Sequence, residues 1–289
     1  HMEVRDSIPG MGQMLVEGGQ LLATLQSEDM VIGADGSFAV TVDSQPHAGR
    51  LNHLAIPSSG TFMVNVRQLL TDWGRQHPIA LSIERLDPGP PAPPRDVARF
   101  AARAAVILDR IGGYWLDYDN RFIFASPANQ LRPVRVRPGG RGWSASGHFA
   151  LADDEALVIT ADTRGAASLG VQIADPWGVA YDYDRRTSSL NNHQAQADAA
   201  GTFTFIVSAR DPGLANWLDS GGFGSGMVIL RWQVLPPGAD PEGAIRGVRV
   251  AKLADLASVV PDGQARMDAA TRKTQQAERA RHYRVRLQR

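Results

Sequence analysis

Apolar and polar residues alternate along this chain in short runs punctuated by glycine and proline. Ser37 to Val42 (SFAVTV), Phe62 to Val66 (FMVNV), Ala80 to Leu86 (ALSIERL), Thr202 to Val207 (TFTFIV) and Met227 to Val234 (MVILRWQV) follow the two-residue period of a strand. Asp35-Gly36 and Ala200-Gly201 precede two of these runs, as hairpin entries should. From Arg95 to Asp117 the period lengthens. Val97, Phe100, Ala101, Ala104, Ile107, Leu108 and Ile111 line one face of a helix, and Gly112-Gly113 predicts its end or a kink. The proline-rich DPGPPAPP at 87–94 predicts an extended linker ahead of that helix. Residues 125–143 read as loop. Gln264 to Arg289 predicts a second, strongly basic helix, packed through Met267, Tyr283 and Leu287.

The pattern predicts a mainly β protein: antiparallel β-sandwich or jelly-roll-like units in tandem, with a connecting helix and a basic C-terminal helix. The boundaries fall at 1–88 for a first β unit, 89–125 for linker and helix, 126–240 for a second β unit and 241–289 for the C-terminal extension. Self-comparison supports the tandem arrangement. NHLAIPSSGTFMVNVR at 52–67 aligns without a gap on NWLDSGGFGSGMVILR at 216–231. Asn52 meets Asn216, Leu54 meets Leu218, Gly60 meets Gly224, Met63-Val64 meets Met227-Val228, and Arg67 meets Arg231. A feature present twice reads as architecture: an Asn turn, then a glycine free to take positive φ before the next strand. The copies differ at His53 against Trp217 and Ala55 against Asp219, and Asp72-Trp73 follows the first copy alone.

Charge narrows the function classes. Thirty basic residues balance thirty acidic ones, so no global field draws the chain to nucleic acid. The absence of cysteine excludes disulfides, thiolate nucleophiles and Cys-ligated zinc. No apolar run is long enough to span a membrane and no signal peptide is visible, which points to a cytoplasmic home. His1-Met2 reads as a cloning remnant.

ALVITAD at 156–162, QIADPWGVAYDY at 172–183 and DPGLANWLDSGG with the following RW at 211–232 resemble a bacterial β-rich family of unknown function, DUF-twelve-fourteen. DGSFAVTV, NHL, VNVRQLLTDW and LSIERLD within 35–87 resemble the preceding half of longer relatives. The resemblance implies a β-sandwich or jelly-roll and no particular reaction. It also implies that a partly helical segment of about a hundred residues, present in relatives, precedes the first copy there. Its lack would leave a sheet edge open, to be covered by a second copy or a partner chain.

Candidate chemistry concentrates in 177–194. Asp182, Tyr183 and His193 are the expected acid/base groups, Asp182 and Asp184 sharing one face if the segment is a strand. Arg185 or Arg186 would hold an anionic group, with Tyr181 beside them. Trp177 and Trp217, with Tyr114 and Trp115 from the central helix, would line an apolar pocket or simply serve as core. No two histidines stand at ligand spacing, so no metal is expected. GGFGSG at 221–226 leads into a strand, not a helix, so it is no phosphate loop, and no organic cofactor is expected. The reading is an enzyme without organic cofactor, a lyase, isomerase or hydrolase acting on a small hydrophobic or aromatic metabolite. The alternatives are a non-catalytic carbohydrate- or small-molecule-binding module and a structural subunit of a larger complex.

Overall fold

The computed structural model describes every residue except 9–10, 12–18, 88, 90–93, 95, 141 and 288–289. Most of the predicted linker at 87–94 lies outside the described residues. The chain forms two compact units, one of His1–Leu69 with Ile79–Asp119 and one of Leu70–Pro78 with Asn120–Arg289. The division differs from the sequence boundaries in that 70–78 joins the larger unit, while the helix at Val97–Tyr118 belongs to the smaller one.

In the smaller unit, β1 (Met2–Arg5) lies between β2 (Leu21–Leu25) and β5 (Met63–Val66), antiparallel to both. β3 (Thr41–Asp43) and β4 (His53–Ala55) form a separate parallel pair. Val4, Leu25 and Leu54 make a small buried core. The run at Ala80–Leu86 forms no strand, and its Ile83 and Leu86 are exposed. Helix α1 (Val97–Tyr118) starts where the Asp96 carboxylate accepts from the Arg99 amide at 3.0 Å. It runs through Gly112-Gly113 instead of ending there. Two helical glycines cost about 1 kcal/mol each. The Tyr114–Tyr118 and Trp115–Tyr118 ring contacts, at 6.1 and 5.5 Å, hold the last turn closed beyond them.

The larger unit is mainly β. β6 (Gln130–Leu131), β7 (Arg135–Val136), β8 (Trp143–Ala150), β10 (Ser168–Ala174), β11 (Ser189–Asn191) and β14 (Ser225–Gln233) form one sheet, ordered β11-β10-β14-β8-β6 with β7 also on β8. Its ladders are antiparallel. β9 (Glu155–Ala161), β12 (Phe203–Ser208), β13 (Trp217–Asp219) and β15 (Ile245–Lys252) form a second, ordered β13-β12-β9-β15. Side chains from both sheets share one core, the arrangement of a β-sandwich.

β9 shows how the sequence sorts its faces. Leu157, Ile159 and Ala161 enter the core between the sheets, whereas Ala156 and Val158 enter a second cluster with Ile206, Leu214 and Leu256. The two-residue period therefore has apolar residues on both faces, and helix α2 (Leu256–Val259) brings Leu256 to the outer one. Trp143 and Trp232 sit opposite each other on β8 and β14, both buried, and the Trp232 indole donates to the Asp162 carbonyl at 2.8 Å. Gly226 is fixed by packing, because a Cβ there would strike the Ala174 carbonyl and the Phe149 ring.

The parallel pairs β3/β4 and β12/β13 have matching geometry. Thr41, Val42 and Asp43 pair with His53, Leu54 and Ala55, as Ile206, Val207 and Ser208 pair with Trp217, Leu218 and Asp219. Asn52 and Asn216 precede the second strand of each with φ of 46° and 62°. The Asn52 amide group bonds both the N–H and C=O of Val31, at 2.9 and 2.7 Å, and Asn216 does the same to Gln196 at 2.7 and 2.7 Å. The expected positive φ is found at Gly60 (129°) but not at Gly224, where a Cβ would instead press on the Leu151 carbonyl.

Helix α3 (Ala269–Leu287) begins where Asp268 accepts from the Thr271 amide at 2.8 Å. Its predicted packing through Leu287 is not found, since that residue is exposed. Two arginines seven positions apart, Arg272 and Arg279, are buried instead. Arg272 bonds the Asp211 carboxylate at 2.8 and 3.0 Å and the Leu214 carbonyl at 2.6 Å, and lies 5.0 Å from the Trp217 ring. Asp211 and Trp217 are thus a dock for this helix.

Among the described residues no helix is long and apolar enough to cross a membrane, and no group of three or more His, Asp or Glu is placed to hold a metal ion.

Candidate functional site

Within the larger unit a cleft of about 680 Å³ opens between the 70–78 segment, the 187–194 stretch and α3. The first wall is a tight turn. The Asp72 carboxylate accepts from the Gly74 amide at 3.0 Å, and its carbonyl accepts from the Gln76 amide at 2.9 Å. Asn191 ties the second wall to the first by donating to the Thr71 carbonyl at 2.9 Å. Gly74 brings the first wall against α3, because a Cβ there would stand 3.2 Å from the His282 ring.

Arg279 of α3 lines the cleft and ties the helix to the 183–189 stretch. Its Nε donates to the Tyr183 carbonyl at 2.7 Å and its Nη2 to the Ser189 hydroxyl at 2.8 Å. The guanidinium rests 4.8 Å from the Trp73 ring, and that of Arg286 lies 5.1 Å from the same ring. Burial lowers the Arg279 pKa to about 10, partly offset by Tyr183 and Tyr283. Thr187 is 1% exposed, lines the cleft, and its hydroxyl has no hydrogen-bond partner among the described residues. Leu190 supplies a buried apolar wall, and His193, Glu278 and His282 supply titratable groups.

Of the residues expected from sequence, the cleft takes in His193 directly and Tyr183 through its carbonyl. The Tyr183 ring packs on Tyr283 at 5.6 Å, and burial raises the pKa of its hydroxyl. Asp182 does not line the cleft. It is exposed, 3.9 Å from Arg185, and opens a turn whose amides at Arg185 and Arg186 return to its carbonyl. The expected strand geometry for Asp182 and Asp184 is therefore absent.

Neither arginine expected to hold an anion faces the cleft. Arg185 is exposed, and Arg186 bonds Asp219 at 3.0 Å. Tyr181 stacks on Phe223 at 6.1 Å with its hydroxyl buried and unpartnered, and burial together with Asp175 and Asp219 pushes its pKa up to about 12. Trp177 projects from the Asp175 turn, 76% exposed, while Trp217 is buried beneath Arg272 with its indole donating to the Ser208 carbonyl at 3.1 Å. They form no common wall of this cleft. Tyr114 and Trp115 belong to α1 of the smaller unit.

Arg279, Thr187 and Glu278 were missed as site residues because nothing local in their sequence marks them. Asp72-Trp73, peculiar to the first copy, was the legible signal for the first wall.

No family model matches the chain, and no curated protein does. The crystal structure of an uncharacterized protein from Burkholderia cenocepacia is similar, with a TM-score of 0.71 and 26% identity over 88% of this chain and 70% of that one. A Vibrio parahaemolyticus protein aligns over 38% of this chain and 31% of its own, at 16% identity and a TM-score of 0.28, too low to carry an argument.

Proposed function

We propose that the larger unit binds a small metabolite in the cleft around Arg279 and acts on it by acid/base chemistry without an organic cofactor. The observation that carries this reading is the gathering of two imidazoles and two carboxylates, His193, His282, Asp72 and Glu278, around one cavity of ligand size. Arg281 donates to the His282 Nε2 at 2.6 Å, and since a guanidinium offers no acceptor, that nitrogen carries the lone pair. His193, whose hydrogen bonding among the described residues is through its backbone to Asn191, is the group that can turn toward a substrate. The reaction class remains lyase, isomerase or hydrolase, and the family resemblance read from sequence stands as part of the proposal. The matching Asn-clamped strand pairs support the internal duplication.

The test uses purified protein with a panel of aromatic, terpenoid and sugar metabolites. A ligand of the folded state raises the melting temperature, and mass spectrometry then reads turnover. The expected outcome is a product whose formation falls about a hundredfold or more in His193→Gln. Full turnover in that variant would remove His193 from the chemistry. Binding without product over long incubation selects the non-catalytic binding module, and an unchanged melting temperature across the panel counts against the cleft altogether.

A further inference from the structure

We infer that the ligand of this cleft carries an oxyanion, a carboxylate or a phosphate, received by the Arg279 guanidinium and the Thr187 hydroxyl. This rests on the cleft being the binding site and adds the chemical class of what enters it.

The argument starts from an imbalance of charge. Arg279 is 6% exposed, yet among the described residues no carboxylate forms an ion pair with it, although Asp72 and Glu278 line the same cleft. A buried cation is ordinarily paired, because an opposite charge must offset its desolvation. Its counterpart on the same helix, Arg272, follows that rule with Asp211. Arg279 has only neutral acceptors, the Tyr183 carbonyl and the Ser189 hydroxyl, and the face of Trp73. Those bonds occupy Nε and Nη2, while Nη1 has no acceptor among the described residues.

The second observation is independent. The Thr187 hydroxyl is buried and unpartnered, and its residue lines the same cleft. A buried hydroxyl left in this state forfeits its hydration without a replacement bond. One oxyanion would offset both deficits, taking a charge-assisted bond from Nη1 and a second from Oγ1. Leu190 beside them is suited to the apolar body of such a ligand.

Arg279 also anchors α3, so its removal would confound binding with folding. Thr187→Val is the diagnostic variant, since it deletes an unpartnered hydroxyl and should leave the melting temperature unchanged or raised. Calorimetric titrations with benzoate, phenyl phosphate and neutral benzamide supply the readout. The expected result is that benzoate or phenyl phosphate binds at least about tenfold tighter than benzamide, and that Thr187→Val weakens the anion about tenfold while sparing benzamide. Which anion wins tells carboxylate from phosphate. Equal binding of benzamide and the anions, or anion binding indifferent to Thr187→Val, overturns the inference and leaves the cleft reading standing. Binding of none of the three overturns both.

Discussion

Asn52 and Asn216 hold the same turn in the two units, yet the next residue is His53 in one and Trp217 in the other. Each asparagine takes positive φ, clamps a distant backbone with its amide and starts a parallel strand pair. Around His53 the frame closes on itself: Asp43, the partner strand's last residue, accepts from Arg50 and pairs with the imidazole, each at 2.9 Å. Around Trp217 the frame opens outward. Ser208 stands where Asp43 does, and the indole face receives Arg272 of α3, which the Asp211 carboxylate also holds. One backbone device therefore makes a self-contained polar cluster in one place and a helix dock in the other. The dock matters for the proposed site, because α3 carries Glu278, Arg279 and His282 into the cleft.

The largest effect that could break this comparison is expected at the dock. Arg272→Ala leaves Asp211 without its cation and Trp217 without its cover, and should cost about 3 kcal/mol in denaturant unfolding. Cleft binding should weaken with it, as α3 loosens. If stability barely moves, α3 is held by other contacts and Trp217 is only core.

The frame itself comes next. Asn216 is 2% exposed and also bonds the Thr204 carbonyl at 3.1 Å, so Asn216→Ala strands buried backbone groups and removes the amide that makes this residue tolerant of positive φ. A loss of about 2–3 kcal/mol is expected. Asn52 makes the same clamp near solvent, where water can replace it, and Asn52→Ala should cost about 1 kcal/mol. Equal losses would mean that burial does not distinguish the two clamps.

That difference also explains what could be read in advance. The strands at 203–208 and 225–233 were legible because their apolar runs are bounded by turns, and the paired Asn-x-Leu segments betrayed a shared frame. The clamp was not legible, since Val31 and Gln196 lie about twenty positions from the asparagines they serve. Nor was the polar centre of the cleft. Of 177–194, the dense polar-aromatic stretch, His193 reaches it directly, while Asp182 and Trp177 are exposed at turns. Arg279 looked like one more solvated charge on a basic helix. Only the fold reveals that its seven-residue spacing from Arg272 puts both on the buried side.

The smallest expected effect lies in the polar cluster, and its sign is fixed by Asp43. The Arg50 guanidinium first, then His53, hold the Asp43 carboxyl well below the usual carboxylate range. A depressed folded-state pKa contributes stability that is complete above the unfolded value near 4 and fades as the pH falls below it toward the folded one. The β4 amides should therefore exchange faster with solvent in acid than their intrinsic rates explain, with the change setting in below about pH 4. Asp43→Asn should flatten that dependence, while the β13 amides, with Ser208 at the corresponding position, should lack it in either protein. Because Asp43 and Arg50 are more than a third exposed, solvent screens much of their attraction and the effect should be modest. An acid response at β4 that survives Asp43→Asn would move its origin elsewhere, to the buried Glu3–Arg5 pair on β1, 3.1 Å apart in the same unit. The His53 frame would then share its architecture with the Trp217 frame but no longer its proposed reason for differing.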